Sequence, residues 1–195
     1  MIINTLNTKK QQISLFVTKD TLPKIDLFIK FYKNYHKYFN NYKWVIYGVR
    51  KNIQTIEIDD LFINLKTKEK SQITNFIENE TEEVFDKINV YSNNDDMNKN
   101  IEKSMFVCFF ENVTKINNNF INIIKYNSIP ILYKKLSNNV YINSKQTLSH
   151  VKCGIYIDNL ESNNIVIEMN KYIKSKNSYL SLLNRCYSIL RQVIK

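Results

Sequence analysis

Met105-Phe106-Val107-Cys108-Phe109-Phe110-Glu111 opens, and Ser128-Ile129-Pro130-Ile131-Leu132-Tyr133 closes, the stretch that decides the fold. The first run is apolar without alternation, as a strand covered on both faces requires. Glu111 ends it with a charge. Between the two runs, Ile116, Phe120, Ile123 and Ile124 fall at helical spacing through an Asn-rich segment. The stretch therefore reads as strand, carboxylate, crossover helix over 116–126, and a second strand. In open α/β sheets ligands bind outside the carboxyl ends of parallel strands, so Glu111 stands where chemistry is expected.

The same alternation extends in both directions. Ile13 to Val17 predicts a first strand. Pro23 then opens a helix over 25–38 in which Ile25, Leu27, Phe28, Phe31, Tyr32 and Tyr35 are the apolar positions. Tyr42 to Tyr47 predicts a second strand closed by Gly48, and Ile88 to Tyr91 a third. Ile53, Ile56 and Ile58 suggest a short strand, with helices following over 68–83 and 95–102. After Tyr133 come a small strand at Val140–Ile142, a short helix over 144–151 and a sixth strand from Gly154 to Ile157. Helices over 160–174 and 178–194 close the chain. Strands alternating with helices predict an α/β fold: one doubly wound, Rossmann-like domain with a mostly parallel sheet of about six strands. Residues 1–11 read as an amino-terminal extension and 12–195 as the domain.

Composition agrees. The chain has 195 residues, 44% of them hydrophobic and 13% aromatic, enough for a sizeable core. It has only 2 glycines and 2 prolines, too few for the many tight turns of a β-sandwich. Asn, which tolerates left-handed backbone, is expected at the turns instead. The wealth of Asn, Lys, Ile and Tyr is what AT-rich codons give, as in a large DNA virus, a phage or an AT-rich cellular genome.

A net charge of +10 suits a polyanionic partner. The basic residues are spread thinly, however, with no Arg-rich helix, so nucleic acid is not the expected ligand. The Tyr and Lys residues from Phe28 to Trp44 follow a helical period, which favours core packing over a base-stacking platform. Cys108, Cys153 and Cys186 are far apart, and Cys108 and Cys153 sit in apolar runs as small core residues. With only His36 and His150 to join them, no metal site is expected. His36 reads as a surface or boundary residue. The odd cysteine count points to a reducing compartment. No signal peptide and no apolar run long enough for a membrane span is visible, so the expected location is cytoplasmic.

The order of elements and their end residues resembles a family: the carboxyl-terminal, nucleotide-sugar-binding domain of retaining glycosyltransferases of the GT-B architecture (glycosyl transferases group 1). The resemblance covers about Gln12 to Lys195. It places Lys19, at the end of Leu15-Phe16-Val17-Thr18-Lys19, where the family has an arginine, and Lys24 where it has a lysine. It implies that these two cations hold the donor diphosphate. Gly48 matches the glycine that ends the family's second strand. Phe110-Glu111-Asn112 followed by Ile129-Pro130-Ile131 matches the glutamate loop and the Gly-x-Pro-Val segment, and Gly154-Ile155-Tyr156-Ile157-Asp158 a late strand.

Glu111 thereby becomes the candidate catalytic carboxylate, beside sugar or ribose. Thr114 and Lys115 supply a hydroxyl and a cation to the same crevice. The implied donor is a nucleoside diphosphate sugar, with no obligatory metal or other cofactor.

The sequence also departs from the family. No second glutamate lies between Glu111 and Pro130. Glu111-Asn112-Val113-Thr114 replaces a Gly-rich loop, and lysine replaces the arginine, losing bidentate phosphate recognition. The amino-terminal acceptor domain is not in the sequence, so an acceptor-domain partner subunit is expected; a homo-oligomer goes instead with an inactive module. The alternative is a catalytically inactive pseudo-glycosyltransferase kept as a binding or structural module. A basic nucleic-acid-binding protein ranks behind both.

Overall fold

The computed structural model describes residues 10–16, 24–47, 49–51, 56–58, 89–91, 101–111, 115–133, 141–143, 146–147 and 152–193. The strands are β1 (Lys10–Phe16), β2 (Lys43–Tyr47), β3 (Val49–Lys51), β4 (Ile56–Ile58), β5 (Asn89–Tyr91), β6 (Ser104–Phe109), β7 (Ile129–Tyr133), β8 (Tyr141–Asn143), β9 (Gln146–Thr147) and β10 (Ile155–Ile157). The helices are α1 (Ile25–Tyr35), α2 (Asn118–Lys125), α3 (Asn164–Lys174) and α4 (Lys176–Val193). The predicted helix over 68–83 lies outside the described residues.

The main sheet has the order β10-β7-β6-β1-β2-β5, and every pairing in it is parallel. The chain winds outward from β1 through β2 to β5, returns to β6, then winds the other way through β7 to β10. This is the expected doubly wound α/β arrangement. The strand order reverses between β1 and β6, where Ile13 is level with Phe106 and Leu15 with Cys108. All six residues of β6 are buried, as its unbroken apolar run requires.

Helix α1 buries Ile25, Phe28, Ile29, Phe31, Tyr32 and Tyr35. Phe28, Phe31 and Tyr32 surround Trp44 of β2 at ring-centroid distances of 6.0, 5.6 and 5.2 Å. These four aromatic residues are therefore core, whereas Tyr38 of the same stretch is exposed. His36 is held locally: its Nδ1 lies 3.0 Å from the Tyr32 carbonyl and its ring stacks on Tyr32.

Asn takes a turn position that glycine usually fills. Helix α2 ends with Asn127 at φ 57. The Asn127 amide donates to the Ile124 carbonyl and the Ser128 amide to the Ile123 carbonyl, both at 2.9 Å. This is the Schellman closure, in which the left-handed residue falls after the helix. Tyr179 and Tyr187 of α4 seal the same turn, donating to the Asn127 backbone carbonyl and to its Oδ1, the latter at 2.9 Å.

The predicted helix over 144–151 is not formed. Gln146–Thr147 is a strand, antiparallel to Tyr141–Asn143, with Asn143 level with Gln146. The physical reason is that 144–151 offers only Leu148 and Val151 as apolar residues, too little for a helical stripe, and eight residues are too few to nucleate a helix alone. The Ile56–Ile58 strand exists but pairs antiparallel with Val49–Lys51 in a separate two-stranded sheet. Cys153, read as a lone core residue, is bonded to Cys186 of α4, with Cα atoms 5.2 Å apart. Cys108 is buried and free, and burial pushes its thiol well above the usual range.

Candidate functional site

The strand order reverses between β1 and β6, and the carboxyl ends of these two strands are the position at which such sheets bind ligands. Phe16 ends β1 and Phe109 ends β6. Phe16 stacks on Tyr47, the last residue of β2, with ring centroids 4.9 Å apart and planes 7° apart. A flat aromatic pair thus spans the carboxyl ends of two adjacent strands at the reversal point.

Two helix N-termini reach this edge. Helix α1 follows β1 and starts at Lys24, whose side chain makes no capping hydrogen bond. The first-turn amides of a helix carry partial positive charge and suit an anion. Asp26, also in this turn, forms an exposed ion pair with Lys30 at 3.8 Å, worth little in water. Helix α2 follows β6, with Asn117 as its cap: Asn117 Oδ1 accepts from the Phe120 amide at 3.0 Å.

Glu111 lies two residues past β6 and is 3% exposed. Its Oε1 accepts from Asn119 Nδ2 at 2.7 Å, and its Oε2 accepts from Asn117 Nδ2. The first turn of α2 thus closes over the carboxylate, and the positive end of the helix favours a negative group there. A charged acceptor with two amide donors is a strong, oriented arrangement.

Of the sequence candidates, the topology brings Lys24, Glu111 and Lys115 to the same edge of the sheet. Lys24 is partly exposed, Lys115 exposed and Glu111 buried. Lys19, Gly48 and Thr114 lie outside the described residues. Sequence reasoning missed Asn117 and Asn119. An Asn three residues before Phe120, the first fully apolar position of the helix, was the available signal for a cap. It also missed the buried polar group formed by Gln12, Ser14 and Ser104. There Gln12 Nε2 donates to Ser104 Oγ at 2.8 Å and Ser14 Oγ to the same oxygen at 2.9 Å. Polar residues inside apolar runs carry no sequence pattern of their own. Among the described residues no group of three or more His, Cys, Asp or Glu side chains is placed to hold a metal.

No family model matches the chain, and no curated protein matches it in sequence. Solved structures do. An α-glucosyltransferase in complex with UDP is similar over 96% of this chain and 48% of its own, with a TM-score of 0.67 at 13% identity. Trehalose-6-phosphate synthase OtsA is similar over 98% of this chain and 41% of its own, with a TM-score of 0.58 at 10% identity. The C-terminal domain of the glycosyl transferase group 1 family protein LpcC from Francisella tularensis is similar over 96% of this chain and 87% of its own, with a TM-score of 0.55 at 12% identity. The chain spans about half the length of the α-glucosyltransferase and most of the isolated LpcC domain. The doubly wound parallel sheet, closed by the helices α3 and α4, is a fold that the chain shares with these glycosyltransferase structures.

Proposed function

We propose that the chain is a glycosyltransferase-like, nucleotide-sugar-binding domain that takes its donor in the crevice at the carboxyl ends of β1 and β6. The observation that carries this reading is the start of α1 at Lys24, whose own side chain makes no capping hydrogen bond, at the point where the strand order reverses. An anionic diphosphate is the ligand such an end suits. The likeness to an α-glucosyltransferase crystallised with UDP supports the same ligand class. In this reading Lys19 and Lys24 neutralise the diphosphate, and Lys115 adds a cation at the rim. Glu111, oriented by Asn117 and Asn119, accepts from a hydroxyl of the sugar or ribose. Thr114 and Gly48 are assigned to the same donor site by the family resemblance. In this reading an acceptor domain completes the cleft; the chain spans about half the length of the α-glucosyltransferase it is similar to.

Calorimetric titration with uridine and guanosine diphosphates tests the reading. Binding of one of them, weakened about tenfold by Lys24→Ala, is expected. No heat from either at millimolar concentration rejects it.

One observation favours a second reading, a binding module without transfer activity. Both oxygens of Glu111 are already engaged by asparagines of its own crossover helix. Sugar transfer by the chain together with an acceptor-domain subunit rules this second reading out.

A further inference from the structure

A second cleft lies away from the reversal point, at the β10 edge of the sheet, between that strand and helices α3 and α4. Its volume is about 510 Å³, within the range of small-molecule sites. Three cations line it from three elements: Lys152 before β10, Lys171 on α3 and Arg185 on α4. None of them forms an ion pair with any carboxylate of the described residues. Lys171 Nζ sits over the Tyr172 ring at 5.6 Å, and Arg185 Nη1 donates to the Lys152 carbonyl at 3.4 Å. Asp158 and Glu168 line the same cleft, and Glu168 faces the Tyr172 hydroxyl.

The walls are fixed relative to each other. Cys153, next to Lys152, is bonded to Cys186, next to Arg185. The spacing of the two cationic walls is therefore set before any ligand arrives, which lowers the entropic cost of binding.

This lining selects among anions. Three cations, one of them a guanidinium fork, suit a phosphate dianion. A bare phosphate would also meet the two carboxylates and be repelled by them. A ligand that brings hydroxyl donors alongside its phosphate satisfies both sets. We propose that this cleft binds a phosphorylated polyol, with Lys152, Lys171 and Arg185 on the phosphate and Asp158 and Glu168 accepting from the hydroxyls. The site is separate from the donor crevice and does not depend on the reading of that crevice.

Calorimetric titration of the full chain tests the proposal, with glucose-6-phosphate and uridine monophosphate as alternative sources of the same chemistry. Free glucose and inorganic phosphate serve as the half-ligands. One phosphorylated compound is expected to bind at least about tenfold more tightly than either half-ligand, and whichever binds more tightly identifies the source. Arg185→Ala and Lys171→Ala, both at exposed positions, should each weaken it about tenfold with an unchanged circular-dichroism spectrum. Lys24→Ala should leave it unaltered. No binding of either compound at about 10 mM overturns the proposal. So does inorganic phosphate binding as tightly, or a loss in Lys24→Ala that Arg185→Ala does not share.

Discussion

Asn119 donates its side-chain amide to Glu111 Oε1 at 2.7 Å, across the turn that joins strand β6 to helix α2. The carboxylate is nearly removed from water, so each of its oxygens depends on protein donors. Asn119→Ala leaves Oε1 short of one donor in a buried place, and the expected cost is about 1–3 kcal/mol of folding stability. Urea denaturation of the variant checks this. An unchanged midpoint would mean that the contact contributes nothing to the fold.

Gly154 stands at φ 126, just before β10. A Cβ there would lie 2.5 Å from the Pro130 carbonyl oxygen and 2.9 Å from both Pro130 Cγ and Leu132 Cδ1. The oxygen belongs to the backbone of β7 and cannot swing aside. Gly154→Ala therefore strains the backbone and forces β10 away from β7. A loss of about 2–4 kcal/mol is expected, read as a fall in the thermal midpoint. A variant as stable as the parent would show that β10 can shift at no cost.

Much of this architecture is legible in the chain because parallel strands buried on both faces are unbroken apolar runs. Met105 to Phe110 and Ile129 to Tyr133 cannot be satisfied any other way. The stripe of α1 is equally plain, since Phe28, Phe31, Tyr32 and Tyr35 recur at helical spacing. The small strand at Tyr141–Asn143 was legible, but its antiparallel partner Gln146–Thr147 was not. So few residues carry no period, and their conformation is set by pairing. The Glu111 clamp was hidden for a related reason. Asn117 and Asn119 are two of many asparagines, and only the fold shows which of them turn toward a carboxylate. The Cys153–Cys186 bond joins residues 33 apart in sequence through the packing of α4, and no spacing motif announces it.

Tyr42 packs its hydroxyl against Met105 Sδ at 3.4 Å, and burial pushes its pKa from 10.0 up to about 12. The neutral phenol is the form the fold favours. In the unfolded chain the proton leaves near pH 10, while in the folded chain it stays until about pH 12. The folded state binds more protons across that window, so stability is full below pH 10 and falls as pH rises toward 12. Burial raises the Tyr156 and Tyr179 phenols in the same direction. Denaturation series on either side of pH 10 should show a loss on the order of a few kcal/mol on the alkaline side. Tyr42→Phe should flatten part of it. A parent stability independent of pH through this range would contradict the burial of these phenols.

The bond between Cys153 and Cys186 closes a loop with a sequence separation of 33. Constraining the unfolded chain over that length is worth about 3–4 kcal/mol. Oxidised protein should therefore melt well above protein held in dithiothreitol, and Cys186→Ser should abolish the difference. Cys108 serves as an internal control. It is the free cysteine, buried, with its thiol pushed up by its surroundings, and thiolate is the reactive form. A thiol-specific dye should label nothing in oxidised, folded protein and one position after unfolding. Two further positions should be labelled after reduction. Three labelled cysteines in the unfolded, unreduced chain would show that the bond does not form.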